Sequence, residues 1–301
     1  MPRPWSEYTA RERRRLRPLV DRYKHARYQA RMALHLRRPP ASGDLGSLKG
    51  SIAGRRVIIT IAFNDSEVVG WQAPLIARHV SNCYHLIADN SSDDEAARRI
   101  EAIARLNGCG YLRLPRGPWT KPEDGGRSHG LAMTWTWRNL VRLARPAAFG
   151  FIDHDIFPMK SANPFEPLAT HAVAGRLRRA GETGRWNLWA GFCFYRFDAV
   201  QAVDLDFSLD WAAGLDTGGG NWARLYRRLD AEQVFDTGVS FEAVDPGASI
   251  DIARFEWIGD WLHKGNFSTP LDLAPGRREA LLARKRALLL ERLTAARETA
   301  A

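Results

Sequence analysis

The first half of the chain alternates short apolar runs with helical patterns, and this order limits the fold more than any other feature. "RVIITIAF" precedes a helical pattern from about Val68, "YHLIAD" precedes "DDEAARRIEAIARL", "GYLRL" precedes "HGLAMTWTWRNLVRLA", and "AAFGFID" closes the series. Four strand-like runs in strand-then-helix order predict a parallel α/β sheet with right-handed crossovers, whose ligands gather beyond the carboxyl ends of its strands. Polar residues fall at those ends: Asn64 and Asp65, Asp89 and Asn90, then Asp153 and Asp155.

The last pair stands in "FGFIDHDIFPMK", where an apolar run stops and a proline follows. In an extended segment residues i and i+2 point the same way, so Asp153 and Asp155 are expected to converge while His154 faces the opposite side. Two like charges that close need a cation, or one of them stays protonated.

With 45% apolar side chains, 301 residues can bury one large core or two modest ones. No uncharged apolar run reaches the length of a spanning helix. The N-terminal "MPRPWSEYTARERRR" has no apolar stretch after its charges, so neither a membrane span nor a secretory signal is expected, and the cytoplasm is the expected compartment. Three scattered cysteines, Cys83, Cys109 and Cys193, fit neither a disulfide framework nor a zinc knuckle.

The net charge of +10 is not spread evenly. Residues 1–38 hold twelve Lys/Arg against three Asp/Glu, which leaves 32 against 31 in the rest of the chain. A nucleic-acid groove should spread its basic residues over the folded body, so nucleic acid is not expected as a partner. Within residues 1–38, Leu16, Leu19, Val20, Tyr23, Ala26, Ala30 and Leu34 recur at helical spacing with arginines around them. Such a basic amphipathic segment suits an anionic membrane surface, with a peripheral place on the inner membrane face, or an acidic partner; equally it suits a helix packed on the body with a solvated arginine face.

"RRPPASGDLGSLKGS" reads as a linker over residues 39–54. A catalytic body over 55–270 and a C-terminal helix over 271–301 complete the expected organisation. That helix carries Leu281, Leu282, Leu288, Leu289 and Leu293 on one face and is expected to pack or to dimerise. In between, "LWAGFCFYRFDAV" contains a strand pattern and "NWARLYRRL" a helical one.

Neither G-x-G-x-x-G after the first strand nor a P-loop signature occurs. Taken in order, "IAFNDSE", "IADNSSDDE", "GGRSHGLAMTWTWRN", "FIDHDIFPM" and "HKGNFS" resemble the GT-A glycosyltransferases, especially the family-two-like group, over Arg56 to Ser268. The resemblance implies a Rossmann-like, mostly parallel α/β sheet flanked by helices, with the N-terminal basic helix and the C-terminal helix outside it. It also implies a nucleoside-diphosphate-sugar donor, a UDP-sugar first, and Mn²⁺ or Mg²⁺ to neutralise the leaving diphosphate.

By that resemblance Asp153 and Asp155 look like the D-x-D motif, Asp155 ligating the metal and Asp153 contacting the ribose or a metal-bound water. Asp89 resembles the base-binding aspartate; on its own chemistry it equally caps a helix. Asn64 and Asp65 would shape the nucleotide floor, or serve only as turn residues. His129 and Gly130 match a loop beneath the ribose and diphosphate at a helix start, where free N–H groups favour anions. His263 resembles the histidine that completes the metal site, and Lys264 would neutralise the diphosphate.

"LDTGGGNW" reads as a flexible acceptor loop with Asp216 near a helix start, the position of the family's catalytic base, although Leu-Asp stands where Glu-Asp is usual. Asp210 and Glu242 are its substitutes, and a plain N-cap is the simpler alternative for Asp216. The expected transfer is inverting, to an acceptor the sequence does not identify. Among eleven tryptophans, Trp189 and Trp222 are the acceptor-stacking candidates, while Trp135 and Trp137 are expected in the core.

Two other readings stand beside this one. A nucleotidyltransferase shares the topology but normally carries a Gly-rich, Arg-bearing loop after its first strand, which "IAFNDSEVV" lacks. A basic-armed scaffold without enzymatic activity would bind neither metal nor nucleotide.

Overall fold

The computed structural model describes residues 5–119, 121, 124–245, 253–265 and 275–298. Asn266 to Ser268 of "HKGNFS" and the 270/271 boundary lie outside them. In chain order the elements run α1 (Ala10–Arg14), α2 (Arg17–Leu36), α3 (Leu45–Ile52), β1 (Arg56–Ala62), α4 (Ser66–His79), β2 (Tyr84–Asp89), α5 (Asp94–Leu106) and β3 (Gly110–Arg113). Next come α6 (Gly125–Thr136), which continues through a π-type stretch into α7 (Arg142–Ala144), then β4 (Ala148–Asp153) and β5 (Ile156–Pro158). The second half adds β6 (Val173–Arg179), β7 (Trp186–Arg196), α8 (Phe197–Val200), α9 (Asn221–Arg224), β8 (Val234–Asp236), β9 (Ser240–Ala243), β10 (Arg254–Ile258), β11 (Trp261–His263) and α10 (Pro275–Glu298).

Seven strands form the central sheet in the order β3-β2-β1-β4-β7-β6-β8. β3, β2, β1 and β4 are mutually parallel, so the α/β class with helices around a mostly parallel sheet is present as expected. β1 is buried from Val57 to Ala62, as a parallel strand covered on both faces must be. β7 then runs antiparallel to both β4 and β6. One face packs against α6 through Trp135, Trp137, Phe149, Phe151 and Tyr195, so the two helix tryptophans are core as anticipated.

A second, four-stranded antiparallel sheet in the order β5-β11-β10-β9 was not legible in the sequence. Its register sets His263 opposite Ile156 and opposite Glu256, which brings residues more than a hundred positions apart beside the end of β4. α10 covers this region with Leu281, Leu289 and Leu293, all buried, so it is a packing helix.

Two expectations are corrected. The 39–54 segment is no plain linker: Asp44 caps α3, which buries Leu48 and Ile52 in the main core. The basic segment is not one helix packed through its apolar stripe. Leu16 takes a left-handed conformation (φ 55°) that separates α1 from α2, and α2 turns Pro18, Met32, His35 and Leu36 inward while Leu19, Val20, Tyr23 and Leu34 stay exposed.

Candidate active site

β4 ends on Asp153, and His154 and Asp155 form the turn to β5, so the two carboxylates are not on one extended strand as anticipated. The turn directs them to different histidines. Asp153 Oδ1 lies 3.3 Å from His129 Nε2, and Asp155 Oδ2 lies 3.5 Å from His263 Nε2. Gln72, fully buried on α4, donates from Nε2 to the carbonyls of Asp153 and Ile156, both at 2.7 Å, and so clamps the turn from below.

His263 is held from both sides, its Nδ1 being 2.9 Å from Glu256 Oε2. Burial disfavours the imidazolium, but Asp155 and Glu256 overcome it and hold its pKa up to about 9. The same charges act on the carboxylates: burial would raise both, yet His263 draws Asp155 far below the usual range, and His263 with Arg176 brings Glu256 down to about 2. Between two carboxylates, the imidazolium proton stands where a cation would.

The ladder continues outward. Arg176 Nη1 reaches Glu256 Oε2 at 2.5 Å, and the guanidinium carbons of Arg176 and Arg178 lie 5.0 and 5.3 Å from the Trp189 ring centroid. Arg178 Nη1 donates to Asp216 Oδ2 at 2.8 Å, while Thr217 N donates to Asp216 Oδ1 at 2.7 Å. Arg176 and Arg178 alternate on β6, which is why both face the same side. Gly191 on β7 makes room: a Cβ there would sit 2.5 Å from both Asp153 Oδ2 and the Trp189 ring.

Several anticipated site residues have other work. Asp89 is fully buried, accepting from Tyr111 Oη at 2.8 Å and Ser91 N at 2.9 Å, which closes it to an incoming base; Asp93, not Asp89, caps α5. Asn64, in a left-handed conformation (φ 52°), accepts from the amides of Ser92 and Asp93 and ties the end of β1 to the loop after β2. Asp65 caps α4 through Oδ1, while its Oδ2 lies 3.8 Å from Lys264 Nζ. α6 begins at Gly125, so Gly130 is not at the helix start; a Cβ on it would meet the Phe207 carbonyl at 2.3 Å, and its role is close packing.

The "LDTGGGNW" loop, expected to be a flexible acceptor loop, is tightly packed. Gly218 needs its left-handed φ of 93°, and a Cβ on Gly219 or Gly220 would lie 2.5 Å from Leu215 Cβ or 2.6 Å from the Asp206 carbonyl. Asp216 is exposed, and no helix starts there, since α9 begins at Asn221. Asp210 caps a 3₁₀ turn at Ala213, and Glu242 is engaged by Arg292 and Trp257, whereas Asp216 is bound to Arg178 on β6. Trp189 is buried beneath the two guanidiniums and His263, and Trp222 packs edge-on to Trp186; neither offers an open stacking face. Arg176, Arg178, Glu256, Gln72 and Gly191 escaped the sequence reading, although the i, i+2 arginines of "GRLRR" were a visible signal.

Asp155 and His263 Nε2 face each other across the imidazolium proton, the position a metal ion would take on displacing that proton. With Glu256 accepting Nδ1–H, Nε2 is left to face Asp155, and a carboxylate on the far ring nitrogen is what orients a metal-ligating histidine. Among the described residues no third His, Cys, Asp or Glu completes a protein cage. A hard divalent ion that takes one or two carboxylates and fills its shell with phosphate oxygens and water fits such a partial set.

No family model matches the chain, and no curated protein matches it. Among solved structures it is similar to glucosyl-3-phosphoglycerate synthase from Mycobacterium tuberculosis in complex with Mn²⁺, UDP and phosphoglyceric acid, at 16% identity over 85% of this chain and 84% of that one, with a TM-score of 0.36. It is also similar to a mannosyltransferase from Pyrobaculum calidifontis in complex with GDP-Man and Mn²⁺, at 10% identity over 58% of this chain and 54% of that one, with a TM-score of 0.33. A galactosyltransferase in complex with donor and acceptor sugar analogs matches at 13% identity over 48% of this chain and 59% of that one, with a TM-score of 0.34. The chain thus spans about half the length of that mannosyltransferase.

Proposed function

We propose that this chain is a divalent-metal-dependent glycosyltransferase that moves a sugar from a nucleoside diphosphate to an acceptor hydroxyl, with inversion. The observation that carries the reading is the turn at the end of β4, where Asp155 faces His263 Nε2 at 3.5 Å while Glu256 holds the other ring nitrogen. Asp155 and His263 would hold Mn²⁺ or Mg²⁺, which when bound neutralises charge on the leaving diphosphate. Asp153, 3.3 Å from His129, would face the ribose, and Lys264, whose backbone N–H donates to the Asp155 carbonyl at 3.0 Å, would lend a second positive charge.

Asp216 is assigned as the general base. As the acceptor oxygen bonds to the anomeric carbon and the bond to the diphosphate breaks, the hydroxyl proton passes to the Asp216 carboxylate. Arg178 and Thr217 fix the orientation of that carboxylate and leave it exposed. The nucleotidyltransferase reading has no Gly-rich, Arg-bearing loop after β1 to support it.

Melting the protein with UDP, GDP, CMP and dTDP, each with and without Mn²⁺, tests the proposal. The expected result is a rise in Tm for one diphosphate, UDP first, that requires the metal. A chain that responds to no nucleotide in the presence of Mn²⁺ is not this enzyme.

A further inference from the structure

α2 has two faces with different fates. Its inward face is fixed to the body: Met32, His35 and Leu36 are buried, Tyr28 stacks on Trp119 at 5.0 Å, Asn139 Nδ2 donates to the Leu36 carbonyl, and Trp135 Nε1 donates to the Arg38 carbonyl. At 100° per residue, Leu19, Val20, Tyr23, Ala26, Ala30 and Leu34 fall on the opposite side, a stripe about 22 Å long. They are turned to solvent, with Leu19 51%, Tyr23 68% and Leu34 66% exposed, and Leu16 at the α1–α2 break is 59% exposed. A rigidly docked helix with large apolar side chains on its outer side needs a covering surface.

The charge around the stripe identifies the cover. Arg22, Lys24, Arg27 and Arg31 are exposed along the same helix, and Arg13, Arg14 and Arg15 precede it. The nearest acid on α2, Asp21, is turned toward the body and paired with Arg17 at 3.0 Å. Trp5, 45% exposed, lies with its ring centroid 5.8 Å from the Arg22 guanidinium carbon, so an aromatic of the kind that settles at lipid headgroups stands beside the basic flank. A protein partner or a second copy of this chain would have to present an apolar groove edged with acids, and the rest of this chain is close to neutral at 32 Lys/Arg against 31 Asp/Glu. A bilayer rich in anionic headgroups offers both properties over the whole stripe. No described helix is long and apolar enough to cross a membrane.

From the outward stripe of α2 and its basic flanks we infer that this chain docks, lying flat, on anionic lipid bilayers. Leu19, Val20, Tyr23 and Leu34 enter the headgroup region, and Lys24, Arg27 and Arg31 meet the phosphates. The inference stands apart from the transferase reading, since it needs no donor, metal or turnover.

Co-sedimentation of the full chain with phosphatidylcholine vesicles, with and without phosphatidylglycerol, tests it. Binding is expected to the mixed vesicles and to be at least about tenfold weaker to the neutral ones. A Leu19→Ser/Val20→Ser/Tyr23→Ser/Leu34→Ser variant, altered only at exposed positions, should keep its Tm and lose about tenfold or more in binding. A Lys24→Gln/Arg27→Gln/Arg31→Gln variant should lose about fivefold per charge and show a weaker salt dependence. Equal binding by the serine variant, equal binding to neutral and mixed vesicles, or no binding at all would overturn the inference. So would a concentration-dependent dimer that the serine substitutions abolish, because a second copy would then be the cover.

Discussion

The two halves of the molecule build their polar sites in opposite ways. From β1 to β4 the site residues sit at the ends of parallel strands, in turns only a few residues long, and each helix returns the chain to the next strand. From β6 to β11 the polar residues His263, Glu256, Arg176, Arg178 and Asp216, drawn from β6, β10, β11 and one loop, form a chain of charges that starts at Asp155 after β4. Two buried histidines make the contrast measurable. His85, on β2, meets only neutral Thr60 and Cys109, and burial holds its pKa down to about 3; His263 meets two carboxylates, which hold it up to about 9. Burial alone thus empties a histidine of its proton, and burial between acids keeps it charged.

The largest effect should come from the turn that joins the halves. Asp155→Ala should reduce metal-dependent donor turnover by about 10³-fold or more in a chain that still folds, because it removes a metal ligand and leaves the Gln72 clamp in place. Wild-type turnover by that variant, correctly folded, would detach the turn from the chemistry. Asp216→Asn should cost about 10²- to 10⁴-fold in transfer while donor and metal affinity stay as they are, since the amide keeps the shape but takes no proton. Product with the donor's own anomeric configuration would remove Asp216 from the role of base.

Glu256→Gln sharpens the comparison without touching the turn. It should weaken Mn²⁺ binding, followed by calorimetry, about 10- to 100-fold through loss of the partner that orients His263. An unchanged affinity would make Glu256 a structural ion-pair member only.

The smallest expected effect is in stability against pH, measured by urea unfolding in a chelator. His85 refuses in the folded state a proton that the unfolded chain accepts near its ordinary 6.5, so its contribution is present above that pH and drains as pH falls toward 3. His263 keeps its proton to about 9, so its contribution is present below 6.5 and drains as pH rises to 9. Each limb should have a slope of at most about 1.4 kcal/mol per pH unit. Glu256→Gln should flatten the alkaline limb; it also removes the carboxylate's own contribution, which drains below its ordinary 4.5, so the His85 limb is read between 6.5 and 4.5, where a change in the variant would mean that the two histidines are not independent.

The contrast between the halves also explains what could be read without coordinates. β1 to β4, their helices, the polar strand ends and the core tryptophans of α6 and its π-type continuation were legible, because strand-then-helix order and apolar period are local properties of the chain. Asp153 and Asp155 were legible as a pair and misread as an extended one, since two residues of turn between β4 and β5 leave no periodic mark. Asp89 was read from its place at a strand end, yet Tyr111, on the neighbouring β3, decides that it is closed.

The amino-acid sequence by itself determined the α/β half, the ends where its carboxylates collect and the concentration of positive charge in residues 1–38. Only the tertiary structure decided which of those groups meet. His263 reaches Asp155 because β11 pairs with β5 across more than a hundred residues, and Arg178 reaches Asp216 because a tightly packed glycine loop, not a mobile one, carries it there. The same holds for α2: helical period marks a stripe of Leu, Val and Tyr, but which side faces the body depends on contacts with Trp119, Trp135 and Asn139 far along the chain. Period and composition are set by neighbours in sequence, whereas pairing, burial and pKa are set by neighbours in space.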